Sequence, residues 1–150
     1  MTQTNELLDF LRESVTPFHA VRGMCKRLEQ AGFESVERFD PSAMVPGRGY
    51  FMTKQGSSLV ALRAGAQELE RGLRLVGAHT DSPNLSVKPN PVTGRDGCVQ
   101  LAVDIYGGAL LNPWFDRDLA LAGRLTVLTA EGQLRSVLFD SVSPVGVVPS

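Results

Sequence analysis

Two histidines and two cysteines are all this chain has of the side chains that most often hold metals or form covalent bridges. Cys25 and Cys98 show no CxxC spacing, so two reduced, partly buried thiols fit better than a disulfide or a metal clip. Charge of one sign is also missing. Fifteen basic residues against sixteen acidic ones give a net charge of -1, and no run of five or six like charges occurs, which argues against nucleic acid as a partner. No stretch approaches the roughly eighteen continuous apolar residues of a membrane span. The opening MTQTNELLDF lacks the basic and apolar parts of a secretory leader, so the expectation is a cytoplasmic protein without a membrane partner. Internal repeats, low-complexity segments, a G-x-S-x-G elbow and a phosphate-binding G-x-x-x-x-G-K are absent as well.

What remains is the composition of a globular protein: 150 residues, 43% of them hydrophobic, enough for one ordinary domain with a core. Leu7, Leu8 and Leu11 share one face of a helix expected from a Thr4 cap to about Ser14. Thr16 reads as the cap of a second helix with Pro17 in its first position, Val21, Met24, Cys25 and Leu28 at helical spacing, and Gly32 at its end. His19 falls in the first turn of that helix, where a cap or surface role suits it better than metal ligation, because no ligand lies four residues on.

After Gly32 the period changes to short β-prone runs at 35–39, 50–54 and 58–64, and a polar loop is expected over 65–71. Leu73 to Ala78 is nearly continuous in apolar residues and suits a strand covered by helices on at least one face. Two helices followed by strands suggest a mixed α/β layer. From Pro83 to Gly97, prolines and glycines crowd a segment expected to hold little regular structure, and a domain boundary is placed near residue 88. Beyond it, 99–106, 124–129 and 133–139 read as strands of an antiparallel β module, the last two joined by a turn at Ala130-Glu131-Gly132. The apolar, β-prone end at 144–150 lacks a polar tail and hints at truncation.

The chemistry centres on Leu75-Val76-Gly77-Ala78-His79-Thr80-Asp81-Ser82-Pro83, where an apolar strand would deliver an imidazole and a carboxylate at its C-terminal end. Residues i and i+2 of an extended chain point the same way, so His79 and Asp81 can act together while Thr80 faces away. Zinc takes a neutral imidazole nitrogen, and a nearby carboxylate can accept the other ring N–H and fix the tautomer. A His-x-Asp triplet also occurs often by chance, and three or more protein ligands are needed to complete such a site. Ser82 is too close in sequence to Asp81 and His79 to form a nucleophilic triad with them. A second dense segment, Tyr106-Gly107-Gly108-Ala109-Leu110-Leu111-Asn112-Pro113-Trp114-Phe115-Asp116-Arg117-Asp118-Leu119, reads either as a packed loop with Arg117 paired to its neighbours or as a contribution to a substrate side.

Taken together, Thr16-Pro17-Phe18-His19-Ala20-Val21, Gly77-Ala78-His79-Thr80-Asp81-Ser82-Pro83, Tyr106-Gly107-Gly108 and Trp114 to Arg124 resemble the aspartyl aminopeptidase family of zinc metallopeptidases, in collinear order over nearly the whole chain. The resemblance implies an α/β peptidase domain of the zinc-exopeptidase type, begun by residues 1–88, and the start of an inserted β-rich dimerisation domain in residues 89–150. It implies that His79 is a zinc ligand and Asp81 the carboxylate supporting it, in a centre of two metal ions that releases N-terminal, often acidic, residues from peptide substrates. It further implies a homo-oligomer built from dimers. The general base and the remaining ligands would lie beyond residue 150, so the chain by itself is expected to be inactive. The alternative is a non-catalytic short form acting as an assembly or interaction module.

Overall fold

A computed structural model describes residues 2–149 apart from 66–71, 73 and 96. By packing, the chain divides into two compact units: Met1–Thr80 with Ala122–Asp140, and Asp81–Leu121 with Ser141–Ser150.

The first unit opens on a helical hairpin. Helix α1 spans Gln3–Glu13, and its cap is Thr2 rather than Thr4: the Thr2 hydroxyl accepts from the Asn5 backbone N–H at 3.4 Å. Its leucine face is only partly covered, and Leu7, Leu8 and Leu11 are all exposed. Helix α2, Pro17–Gln30, forms as its sequence dictates. Thr16 is extended and accepts from the His19 N–H, Pro17 sits where no N–H is needed, and Gly32 takes a φ of +78° just past the last turn. Arg27 ties the hairpin together, lying 5.1 Å from the Phe10 ring centroid and donating to the Glu6 carbonyl at 3.3 Å.

Three strands follow, β1 at Glu34–Ser35, β2 at Gly49–Lys54 and β3 at Ser58–Arg63, in the order β1-β2-β3, with β1 parallel and β3 antiparallel to β2. The first is much shorter than its β-prone run. The core is small and local: Ala20 and Val21 of α2 with Tyr50 and Phe51 of β2. His19 joins it at 5% exposure, so its expected surface position is wrong while its part in the cap holds. The β6–β7 hairpin, Ala122–Leu128 paired with Leu134–Asp140, belongs to the same unit. Arg124 stacks 4.1 Å from the Phe18 centroid and donates to the Gln55 carbonyl at 2.8 Å, bringing the hairpin against the first turn of α2. The loop expected at 65–71 lies outside the described residues from 66 on.

The largest departure is the apolar run before His79. Leu73 is outside the described residues, and 74–79 have no regular structure, with Leu75 and Val76 each 95% exposed. A buried parallel strand needs neighbours for its backbone N–H and C=O groups on both edges, and among the described residues none pairs with this run.

In the second unit, β4 (Asn84–Arg95) and β5 (Cys98–Tyr106) form an antiparallel hairpin. The proline-rich segment is thus more regular than its composition suggested, and residue 88 lies inside β4. The prolines are absorbed by a bulge: Val87 pairs with Val103 and Val92 with Leu101, leaving Lys88 to Pro91 opposite Ala102 alone. A cross-strand contact between Lys88 and Asp104 at 2.9 Å sits beside it. Cys98, at the start of β5, is exposed rather than partly buried, and Cys25 is half-buried; both are free thiols. A short 3-10 turn at Asn112–Trp114 leads to Phe115 and Leu119, which bridge to Val148 and Gly146.

Candidate metal centre

His79 is exposed, in the irregular stretch that ends the first unit's N-terminal segment. The residue after it is anchored: the Thr80 hydroxyl donates to the Ser57 carbonyl at 2.8 Å, which ties the chain to the β2–β3 turn. Thr80 therefore spends its side chain on the scaffold.

Asp81 opens the second unit and is half-buried. Its Oδ2 accepts a 2.6 Å hydrogen bond from the Tyr106 hydroxyl at the end of β5. This bond, with the nearby carboxylate charge, raises the Tyr106 pKa, because losing the phenolic proton would lose the bond and place two negative charges together. Gly107 follows with φ +68°, and a Cβ there would meet Pro83 at 3.6 Å, so the chain turns out of β5 directly over the residues that follow Asp81. Asn84 closes the local turn by donating to the Ser82 carbonyl at 2.9 Å.

The other candidates stand apart from this segment. The His19 Nδ1 lies 2.7 Å from the Thr16 hydroxyl, and a neutral ring lets that hydroxyl donate to it. Burial lowers the His19 pKa, Arg22 lowers it further and Asp140 opposes them. Burial, then the charge of Glu29, raises the Cys25 thiol pKa, which suits an inert packing thiol. In the Trp114–Leu119 loop, Asp116 has a φ of +52° and Arg117 donates to the Pro113 carbonyl at 3.3 Å. Tyr106 is the residue whose part the sequence did not disclose. It stood out only as the neighbour of a glycine pair, and no local pattern announces a phenol that reaches back to Asp81.

The donor chemistry of His79 and Asp81 fits one corner of a zinc site: an exposed imidazole, and a carboxylate that accepts a hydrogen bond from a phenol. It fits no more than a corner. Among the described residues, no group of three or more His, Cys, Asp or Glu side chains could hold a metal ion.

Comparison with known proteins supplies the context. A family model described as Aminopeptidase I zinc metalloprotease (M18) matches residues 10–150. The chain belongs to this family. A probable M18 family aminopeptidase 2 of Pseudomonas putida is 50% identical over 145 residues, covering 96% of this chain and 34% of that protein. Two solved structures share the fold. The cryo-EM structure of the Ape4 and Nbr1 complex superposes with a TM-score of 0.89 at 35% identity, over 97% of this chain and 28% of that one. The S. cerevisiae mApe1 dodecamer superposes at 0.85 with 29% identity, over 97% and 35%. The chain thus spans about a third of the length of the curated M18 relative. No helix among the described residues is long and apolar enough to cross a membrane.

Proposed function

We propose that this chain is the N-terminal part of a zinc-dependent M18 aminopeptidase that releases N-terminal residues, acidic ones by preference, from peptides in the cytoplasm. The observation that carries the reading is the family match over residues 10–150, which contains an accessible imidazole at position 79 followed at position 81 by a restrained carboxylate. His79 serves as a metal ligand and Asp81 as the carboxylate that supports it. The general base and the other ligands of a two-metal centre come from polypeptide outside these residues. Zinc held there would supply Lewis acidity for the scissile carbonyl and would lower the pKa of a water molecule, making hydroxide available as the nucleophile.

In this reading residues 1–88 begin the peptidase domain and 89–150 begin an inserted β-rich dimerisation domain. The exposure of Leu75 and Val76 supports the first assignment, because such a run needs strands on both sides and relatives carry far more chain. The assembly is a homo-oligomer built from dimers, which the dodecamer of the S. cerevisiae protein supports.

The test compares the full gene product with its His79→Ala variant by metal analysis and by hydrolysis of L-aspartyl- and L-leucyl-p-nitroanilide. The variant should lose most of its zinc and its activity on whichever substrate the parent cleaves. A variant that keeps both would remove His79 from the site. The 150-residue chain alone should show no hydrolysis above buffer with zinc added, because one imidazole and one carboxylate neither hold zinc tightly nor supply a base.

A further inference from the structure

The far end of β5 holds the Asp81 carboxylate through the Tyr106 hydroxyl. The register of the β4–β5 hairpin places Tyr106 directly opposite Asn84, so the tyrosine backbone lies across from the segment that carries the carboxylate. Pairing continues through Leu85 with Ile105, Ser86 with Asp104 and Val87 with Val103, and the Lys88–Asp104 contact adds a charged cross-strand tie. Past Tyr106, the left-handed conformation of Gly107 packs the turn against Pro83. A β-carbon at 107 would strain the backbone whatever the space around it. Tyr106 is thus fixed on both sides, and its hydroxyl meets Asp81 Oδ2 at 2.6 Å, a charge-assisted distance.

Stability alone does not explain the contact. Tyr106 is 47% exposed, and water competes for so accessible a phenol, which leaves the bond little net contribution to stability. The chemistry of the donor is more informative. An Arg or Lys at this place would orient the carboxylate and also cancel its charge. A phenol restrains the carboxylate rotation and leaves the charge in place, which is what a group supporting a metal ligand requires.

We infer that Tyr106 is a positioning residue of the zinc site, its phenol holding the Asp81 carboxylate in one orientation. The inference rests on the reading of His79 and Asp81 as ligand and support.

Four forms of the full gene product test it: parent, Tyr106→Phe, Asp81→Asn and the double variant. Each is measured for zinc retention against a competing chelator and for kcat and KM on the better of the two aminoacyl-p-nitroanilides. Tyr106→Phe should lower zinc retention and kcat by about 10-fold each, the lower end of what loss of a ligand's supporting partner costs. KM should stay within about twofold, as for a residue that acts through the metal site rather than on substrate binding. The double variant should be no worse than Asp81→Asn, since the phenol acts only through that carboxylate. Parent-like zinc retention and kcat in Tyr106→Phe beside an impaired Asp81→Asn would overturn the inference and leave the site standing. Additive losses would also overturn it. An unfolded Tyr106→Phe counts against it equally, because an exposed phenol that only orients Asp81 is not needed for folding. If Asp81→Asn matches the parent in both measurements, the site itself fails and the inference goes with it.

Discussion

Two apolar segments of similar sequence character meet opposite fates in this chain. Gly49 to Lys54 carries Tyr50 and Phe51 into the core at 5% and 2% exposure, whereas Leu75 and Val76 stand at 95%. The difference lies in partners. Strand β2 has β1 on one edge and β3 on the other, with α2 packed against it, while the run before His79 is unpaired among the described residues. Hydrophobicity supplies the drive to leave water, but burial needs a surface to receive the side chain and neighbours for the backbone.

The sharpest way to break this comparison is to truncate one residue on each side of it. Phe51→Ala in the 150-residue chain should cost about 3–5 kcal/mol, enough to unfold most of the first unit, as read by urea denaturation followed by circular dichroism. A cost below about 1 kcal/mol would mean that the small core is not what holds the unit.

A second test uses the polar member of that core. His19 is held neutral below its usual pKa near 6.5, so the unfolded chain takes up the proton first as the pH falls. The corresponding stability is complete above about pH 6.5 and is lost as the pH drops from there through the lower folded-state value. The urea midpoint should therefore fall on acidification across that window in the parent, and the part of the fall due to this residue should vanish in His19→Gln. Equal pH dependence in both would exclude the imidazole as its source.

The smallest effect is expected on the other side. Val76→Ala should change the stability of the 150-residue chain by less than about 0.5 kcal/mol, as for any exposed side chain. A clear cost for the same change in the full gene product would locate the receiving surface in polypeptide beyond these residues.

Much of the fold was legible where the signals are local. The Thr16 cap, Pro17, Gly32 and the turn at 130–132 act over three or four residues, and the structure places them as their chemistry requires. Burial of His19 was not legible from its own helical turn, and the Asp140 charge that acts on its ring lies more than a hundred positions away. Failure at 74–78 has the same origin: period and composition describe what a segment would do with neighbours, and among the described residues none pairs with this run. At the candidate centre, His79 and Asp81 were visible through their spacing and family pattern, whereas the hold of Tyr106 on Asp81 arises only once β4 and β5 pair.

The bulge in β4 has a bearing on self-association. Proline carries no amide hydrogen, so Pro89 and Pro91 interrupt the row of donors that an incoming strand would need to add itself to the hairpin. The two rings leave that stretch of β4 a poor template for sheet growth by identical chains.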